Sequence, residues 1–261
     1  MSVVLPAYLG LAGAAFASFA GALAWRMHTG RGVVTGRSCC EHCGHSLAAR
    51  DLVPVLSWVL LRGTCRYCHA RIDPSAPVAE AALAAAFVLS YLFWPLGFDD
   101  PRGVICFVLW LIYLTVFTAL AIYDLRWLQL PDRLVLPLAP LALIDAGLRV
   151  DLRDHLTLGT YAWHVLLGAG ILGGAYAILH LVSGGRWVGF GDAKLGLVAG
   201  TVLGGPAALI ALALANITGV AVFLVARLAG RTGSAQLVPL GPLLVVGFTI
   251  AGLLPLPTHF G

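Results

Sequence analysis

Long apolar segments alternate with short polar ones along most of the chain. Most of them approach the roughly 17–25 residues that an α-helix needs to cross a bilayer. The pattern predicts an all-α polytopic membrane protein with about eight transmembrane helices. One segment, 193–204, is short and is consistent with a tilted or partly re-entrant helix. The predicted spans are 3–25, 78–96, 104–122, 134–148, 161–183, 193–204, 206–228 and 237–256.

The composition indicates that lipid is the main solvent. Hydrophobic residues make up 60% of the chain and charged residues 11%, and the mean hydropathy is +0.92. A soluble domain is typically about half apolar and about a quarter charged. So few charges could not solvate the surface of a water-soluble protein, and the lipid bilayer is therefore the predicted environment.

The positions of the cations predict the orientation of the spans. Most Lys and Arg residues lie between alternate spans, beginning with Arg26 directly after the first apolar run. No Lys or Arg precedes that run, which favours a membrane helix over a cleaved signal peptide. The cation-rich segments are cytoplasmic by the positive-inside rule. The net charge of +4 then reflects orientation, and it does not indicate a nucleic-acid partner.

Residues 26–77, called the cysteine loop below, are polar and basic and are predicted to be cytoplasmic. They separate a first transmembrane helix, residues 1–25, from a membrane domain, residues 78–261. The loop contains two C-x-x-C pairs, and two such pairs can supply the four thiolates of a tetrahedral zinc site. The pairs are Cys40 with Cys43, and Cys65 with Cys68.

Other readings of the cysteine loop stay open at this point. A disulfide framework is disfavoured because the cytoplasm is reducing, and redox-active or unliganded thiols are a further alternative. A loop with few large aliphatic residues gains folding energy from a metal, so the predicted zinc is structural. The residues that could replace a predicted ligand are Cys39, in the place of Cys40, and His42, His45 and His69.

Carboxylates at the ends of membrane helices are costly and are therefore candidates for function. Asp124 directly follows an apolar run, and Asp192 ends the sequence Gly189-Phe190-Gly191-Asp192, followed closely by Lys194. Glycines permit a tight turn and a close approach of substrate to the carboxylate. Two neighbouring aspartates would share one proton and could hydrolyse a peptide through an activated water.

Structural roles for these aspartates are the alternative to the catalytic interpretation. An aspartate at the start of a helix is often an N-cap, which is the preferred role for Asp132 and a rival role for Asp192. Asp124 could form an ion pair with Arg126. The spacing of these residues alone does not separate the alternatives.

Taken together, the motifs resemble those of the type IV prepilin peptidases, which are membrane aspartyl proteases of the bacterial inner membrane. The similar stretches are Pro54 to Cys68, continuing to Glu80; Tyr123-Asp124 with Leu130-Pro131-Asp132; Gly189 to Leu195; and Pro239 to Pro242.

The resemblance implies that Asp124 and Asp192 are the catalytic pair, with Gly189, Gly191 and Lys194 in the adjoining active-site loop. It implies removal of a basic leader from type IV prepilins or from type II secretion pseudopilins, on the cytoplasmic side. Many members also methylate the new N-terminus with S-adenosylmethionine. The chain departs from the family pattern at Gly21, where members commonly have asparagine, and at Glu41, where they have proline.

Two other classes of function remain possible from the residues. A presenilin-like intramembrane protease also uses a Tyr-Asp and a Gly-x-Gly-Asp motif, but the two C-x-x-C pairs argue against it. A non-enzymatic transporter with a zinc-stabilised loop is disfavoured because few polar residues other than the carboxylates lie within the predicted spans.

Overall fold

The structure, a computed structural model, describes residues 3–32, 36–150, 152, 157–230 and 239–254. The described residues are mostly helical and include a 3₁₀-helix, Ala49–Asp51, in the cysteine loop; their only β-type pairings are two isolated bridges in the same loop. The helices are α1 (Val4–His28), α2 (Leu56–Leu60), α3 (Ser75–Leu92), α4 (Pro101–Trp127), α5 (Asp132–Val135), α6 (Leu138–Arg149), α7 (Leu158–Ala169), α8 (Ala175–Ser183), α9 (Phe190–Leu203), α10 (Gly205–Leu228) and α11 (Leu240–Leu253). A π-helical turn, Gly170–Gly174, joins α7 to α8.

Within the described part of the chain, five helical segments are long and apolar enough to cross a membrane, which confirms the prediction of an all-α polytopic membrane protein. They are α1, α3, α4, the continuous run from α7 to α8, and α10. The helices α6, α9 and α11 have 12, 14 and 14 residues, so the count of eight spans stays a prediction. The ends of the predicted last span, 237–238 and 255–256, lie outside the described residues.

The chain forms two compact units. The first consists of residues 1–92 and 114–123, and the second of residues 93–113 and 124–261. Residues 114–123 of α4 thus belong to the first unit, and the rest of α4 belongs to the second. The predicted division into residues 1–25, 26–77 and 78–261 stays a prediction.

In the first unit, α1 packs closely against α3 because α1 presents a stripe of small residues. A Cβ on Gly13 would lie 2.7 Å from the carbonyl oxygen of Leu83, so only glycine fits at this crossing. Packing of this kind stabilises helix pairs in membranes, where apolar burial alone gives no driving force. The remaining buried residues of the stripe are Ala17, Ala20 and Ala24.

In the second unit, α9 lies at the centre and contacts the π-helical turn and six other helices. A side chain on Gly196 would meet the carbonyl oxygen of Leu172 at 2.9 Å. Gly168 and Gly200 likewise bring the backbones of α7 and α9 into direct contact. Glycines on both sides of this interface therefore position α9, the helix that carries Asp192.

Candidate active site

Asp124 lies inside α4, one turn before the end of the helix, and its side chain is buried. Its Oδ2 atom accepts a hydrogen bond of 2.8 Å from the backbone N–H of Gly241. Gly241 is the second residue of α11, and the first N–H groups of a helix have no partner within the helix. The carboxylate is therefore held at the positive end of the α11 dipole.

Asp192 is the third residue of α9, and its Oδ2 atom accepts a hydrogen bond of 3.1 Å from the N–H of Gly189. Gly189 is the N-cap residue, so the rival N-cap role for Asp192 is wrong by position. Asp192 nevertheless helps to cap the helix, because its carboxylate bonds back to the N-cap residue.

Both aspartates lie in the second unit, and the segments that carry them meet where Leu130 contacts Gly191. In each residue Oδ2 is bonded to a backbone N–H, whereas Oδ1 accepts no hydrogen bond from the described residues. Like charges at close range disfavour ionisation of both groups, so such a pair tends to bind one proton. The arrangement can supply one acid and one base.

The Gly189–Asp192 motif does not contain the special backbone conformation predicted for Gly189, whereas close approach of substrate to these glycines stays a prediction. Gly189 has φ −73° and ψ 152°, an extended conformation open to most residues. A Cβ on Gly191 would lie 2.8 Å from the Cβ atom of Leu130. Close approach of Leu130, which follows α4, is therefore the reason for glycine at 191.

Asp132 and Lys194 form an ion pair, with Lys194 Nζ at 2.7 Å and 2.8 Å from the two carboxylate oxygens of Asp132. The predicted N-cap role of Asp132 is wrong, because the N-cap of α5 is Pro131 and Asp132 is the first helical residue. Its carboxylate bonds to a lysine 62 residues later instead. The predicted active-site residue Lys194 thus contacts the segment that follows Asp124.

The sequence did not single out Gly241 as a site residue. Its only signal was the stretch Pro239 to Pro242, in which a glycine near the start of a helix allows close approach of another element. The hydrogen bond to Asp124 joins residues 117 positions apart, and no local pattern predicts such a pairing.

The four cysteines of the two C-x-x-C pairs form a cluster in the first unit. The sulfur atoms of Cys40, Cys43, Cys65 and Cys68 all lie within 4.8 Å of one another, and those of Cys40 and Cys68 are 3.9 Å apart. A tetrahedral zinc with Zn–S bonds of about 2.3 Å requires sulfur–sulfur distances of about 3.8 Å. The donor set therefore fits a zinc ion after small adjustments.

The two cysteine pairs have the same backbone structure. The N–H of Cys40 bonds to the carbonyl of His45 at 3.0 Å, and the N–H of Cys65 bonds to the carbonyl of Ala70 at 2.8 Å. After each pair the next residue has a positive φ, +70° for Gly44 and +56° for His69. Each pair therefore forms a tight knuckle that points its two sulfurs in one direction.

Cys39 lies outside this cluster. Its sulfur accepts a hydrogen bond from Nη1 of Arg31 at 3.6 Å, whereas Cys40 is within reach of the other three cysteines. The ring of His45 packs on that of Tyr67, with centroids 3.8 Å apart. The geometry therefore favours the four predicted cysteines over the alternative ligands.

Asp51 connects the rest of the cysteine loop to the second knuckle. Its carboxylate accepts hydrogen bonds from Arg66 Nε at 2.7 Å and from the Tyr67 hydroxyl at 2.9 Å, the two residues between Cys65 and Cys68. The hydrogen bond from Arg66, assisted by that from Tyr67, holds the pKa of Asp51 below its usual value. Asp51 is thus ionised at neutral pH, and its stabilising contribution is lost only as the pH falls through this lowered pKa.

Two family models match the chain. The model described as Bacterial Peptidase A24 N-terminal domain covers residues 11–94, and it includes the cysteine cluster. The model described as Type IV leader peptidase family covers residues 107–224, and it includes Asp124 and Asp192.

Curated relatives match most of the chain. The prepilin leader peptidase/N-methyltransferase of Stutzerimonas stutzeri is 31% identical over 216 residues, or 82% of this chain and 70% of the relative. The protein of the same name from Aeromonas hydrophila is 32% identical with the same coverage. That from Burkholderia pseudomallei (strain K96243) is 35% identical over 223 residues, or 81% of this chain and 65% of the relative. No solved structure matches the chain. The chain therefore belongs to the type IV leader peptidase family and is a protease.

Proposed function

We propose that the protein is an aspartic endopeptidase that removes the basic leader of type IV prepilins or type II secretion pseudopilins, with Asp124 and Asp192 as the catalytic pair. The observation that carries the proposal is the environment of the two carboxylates. Each is held through Oδ2 by a backbone N–H near the start of a helix, and the segments that carry them contact each other where Leu130 packs against Gly191. Family membership favours this function over the presenilin-like protease and the transporter.

In the proposed mechanism one aspartate is ionised and the other is protonated. The ionised carboxylate removes a proton from a water molecule, whose oxygen attacks the scissile carbonyl carbon. The protonated carboxyl donates a hydrogen bond to the carbonyl oxygen as negative charge develops there. The carbon–nitrogen bond then breaks as the leaving nitrogen takes a proton from the pair. No covalent enzyme intermediate forms.

The proposed location is the bacterial inner membrane, with the cysteine loop and the aspartates on the cytoplasmic side. The support is the distribution of Lys and Arg among the connecting segments. An impermeant thiol reagent added to spheroplasts should then label Asp99→Cys, between α3 and α4, and should leave Arg227→Cys unlabelled. The reverse pattern would contradict this orientation.

We also propose that the cysteine cluster binds one structural zinc ion, with Cys40, Cys43, Cys65 and Cys68 as ligands. Four cysteine ligands complete the tetrahedral coordination of a zinc ion and leave no position for water or substrate. This is typical of structural rather than catalytic zinc. When bound, the ion would stabilise the two knuckles, and it takes no part in peptide hydrolysis.

N-methylation of the new N-terminus is a separate proposal, supported by the names of the relatives. The methyl donor would be S-adenosylmethionine. The chain departs from the family pattern at Gly21, on the α1 surface near Ile122. Mass spectrometry of the mature substrate tests this activity: one added methyl group supports it, and an unmodified terminus contradicts it.

The proposed protease mechanism is tested by co-expression with a prepilin. Asp124→Asn and Asp192→Asn should each abolish leader removal, because an amide cannot act as the base or share the proton of the pair. Asp99→Asn is the matched control, since this exposed aspartate lies in the α3–α4 connection, and it should retain normal cleavage. All variants should reach the membrane in equal amounts. Near-normal cleavage by either dyad variant would disprove the assignment.

A further inference from the structure

The segments that carry the two aspartates contact each other at a second point. Lys194, two residues after Asp192, forms an ion pair with Asp132, eight residues after Asp124. Leu130 packs directly against Gly191 beside this pair. On the basis of the proposed catalytic pair, we infer that the Asp132–Lys194 ion pair positions the Asp124 and Asp192 carboxylates relative to each other.

The chain between Asp124 and Asp132 can transmit a displacement of Asp132 to the end of α4, where Asp124 lies. Leu128 ends α4 in a left-handed conformation, with its N–H bonded to the carbonyl of Asp124 at 2.9 Å. Pro131, whose ring restricts φ, then precedes α5 directly. The short connection therefore has few freely rotating bonds, and a restraint on Asp132 also restrains the end of α4.

On the other side, Asp192 and Lys194 lie in the first turns of the same helix, α9. The ammonium group of Lys194 also lies 5.1 Å from the centre of the Phe190 ring, a favourable cation–π distance. Lys194 is thus oriented by its own helix toward Asp132. A displacement of Asp132 relative to α9 would change the separation between the two catalytic carboxylates.

The ion pair is partly exposed, with 28% of the Lys194 side chain and 52% of the Asp132 side chain accessible. Pairs with this exposure add little to folding stability. The expected effect of the Asp132–Lys194 ion pair is therefore on the relative position of the two catalytic carboxylates. A misplacement of about 1 Å at reacting groups can reduce a rate about 100-fold. Asp132 and Lys194 are positioning residues in this proposal, and neither contacts the scissile bond.

The test measures cleavage kinetics of the purified full-length enzyme with a prepilin substrate. Asp132→Asn and Lys194→Met should each lower kcat by roughly 10- to 100-fold, with KM within about twofold. The double variant should be no slower than the slower single variant, because both remove the same interaction. Lys194→Arg should recover most of the rate. Arg133→Gln, which removes a neighbouring exposed charge, is the control and should behave as wild type.

The pH dependence of kcat gives a readout that a loss of stability would not change. If the carboxylates move apart, their mutual repulsion weakens and the two ionisations of the pair converge. The pH–rate profile of Asp132→Asn should therefore be narrower than that of the wild type. An unchanged thermal transition of the same variant would show that the fold is intact.

Three results would overturn the inference. Loss of activity in Lys194→Met with full activity in Asp132→Asn would show that Lys194 acts on the substrate directly. Additive losses in the double variant would show that the two residues act independently. An unchanged profile width in a slow variant would exclude an effect on the dyad. Cleavage by the wild type and its loss in Asp124→Asn are measured first, so failure of the proposed function is recognised separately.

Discussion

At the residue scale, Gly241 allows the Asp124 carboxylate to lie directly against the backbone of α11, because glycine has no side chain. Asp124 Oδ2 occupies the space next to the glycine Cα, and its position is fixed by the N–H of the same residue. Asp192 obtains a similar bond within its own helix, from Gly189. Each carboxylate thus accepts a hydrogen bond from a backbone N–H. For Asp124 the donor lies in a distant helix, and for Asp192 it is the N-cap residue of the same helix.

Gly241→Ala should therefore reduce cleavage by roughly 10- to 100-fold, because it displaces the Asp124 carboxylate. The new Cβ would lie 2.9 Å from Asp124 Oδ2, and overpacking of this kind typically costs about 1–3 kcal/mol. The measurement is the rate of leader removal, normalised to the amount of enzyme in the membrane. Gly147→Ala in α6 is the matched control, since a Cβ there meets no described atom within 4 Å, and it should have little effect. Equal rates for the two variants would contradict the steric argument.

At the scale of the element, the two knuckles show one backbone structure built from two different sequences. Both require a positive φ directly after the second cysteine, but the first has Gly44 there and the second has His69. For L-residues with a side chain this conformation costs about 1–2 kcal/mol. In the second knuckle His69 has this conformational cost. The hydrogen bonds that Asp51 accepts from Arg66 and Tyr67 offset it.

Gly44→Ala should make the free energy of metal binding about 1 kcal/mol less favourable, which is about a fivefold loss of affinity. The reason is that alanine, unlike glycine, is strained at a positive φ. No described atom lies within 4 Å of a Cβ at Gly44, so the effect would come from the backbone alone. His69→Ala is the comparison, and it should change the affinity much less because residue 69 has a side chain already. Competition with a chromophoric chelator measures both. Equal losses at the two positions would disprove the explanation.

At the scale of the whole molecule, the two compact units depend on different forces. The second unit is stabilised by close helix packing around α9, through glycines such as Gly196 and Gly200. The cysteine loop of the first unit has almost no core. Among residues 36–74, all of which the structure describes, only Gly63 and Cys65 are buried. Such a segment relies on metal ligation and a few polar contacts, including the 2.6 Å bond from the Val55 N–H to Glu80.

Removal of the metal should therefore unfold the cysteine loop and leave the membrane helices intact. Cys65→Ser/Cys68→Ser, or treatment with a strong chelator, should make residues 36–74 sensitive to added protease, because bound metal supplies much of the folding energy of such loops. Mass spectrometry of the fragments identifies the cleavage sites, and metal analysis of the wild type should show about one zinc per chain. Cys106→Ser is the control, since Cys106 is buried in α4. A protease-resistant loop without metal would contradict this dependence.

Hydrophobic patterning was sufficient to predict the helical membrane fold, because lipid offers backbone groups no hydrogen-bonding partners and long apolar runs must therefore be helical. It was less informative about the boundaries. The predicted span 104–122 became α4, Pro101–Trp127, which places Asp124 inside a helix. The predicted span 134–148 is divided at Pro137 into α5 and α6, because proline cannot continue the preceding helix without losing a hydrogen bond.

The sequence by itself determined the class of fold, the two C-x-x-C pairs and the short list of candidate carboxylates, because these depend on composition and on spacing within single segments. Only the tertiary structure decided that Cys40 rather than Cys39 joins the cluster, that Gly241 bonds to Asp124, and that Asp132 pairs with Lys194. The last two contacts join residues 117 and 62 positions apart. They follow from the way helices pack against each other, and that packing depends on shape and close approach, which local periodicity does not encode.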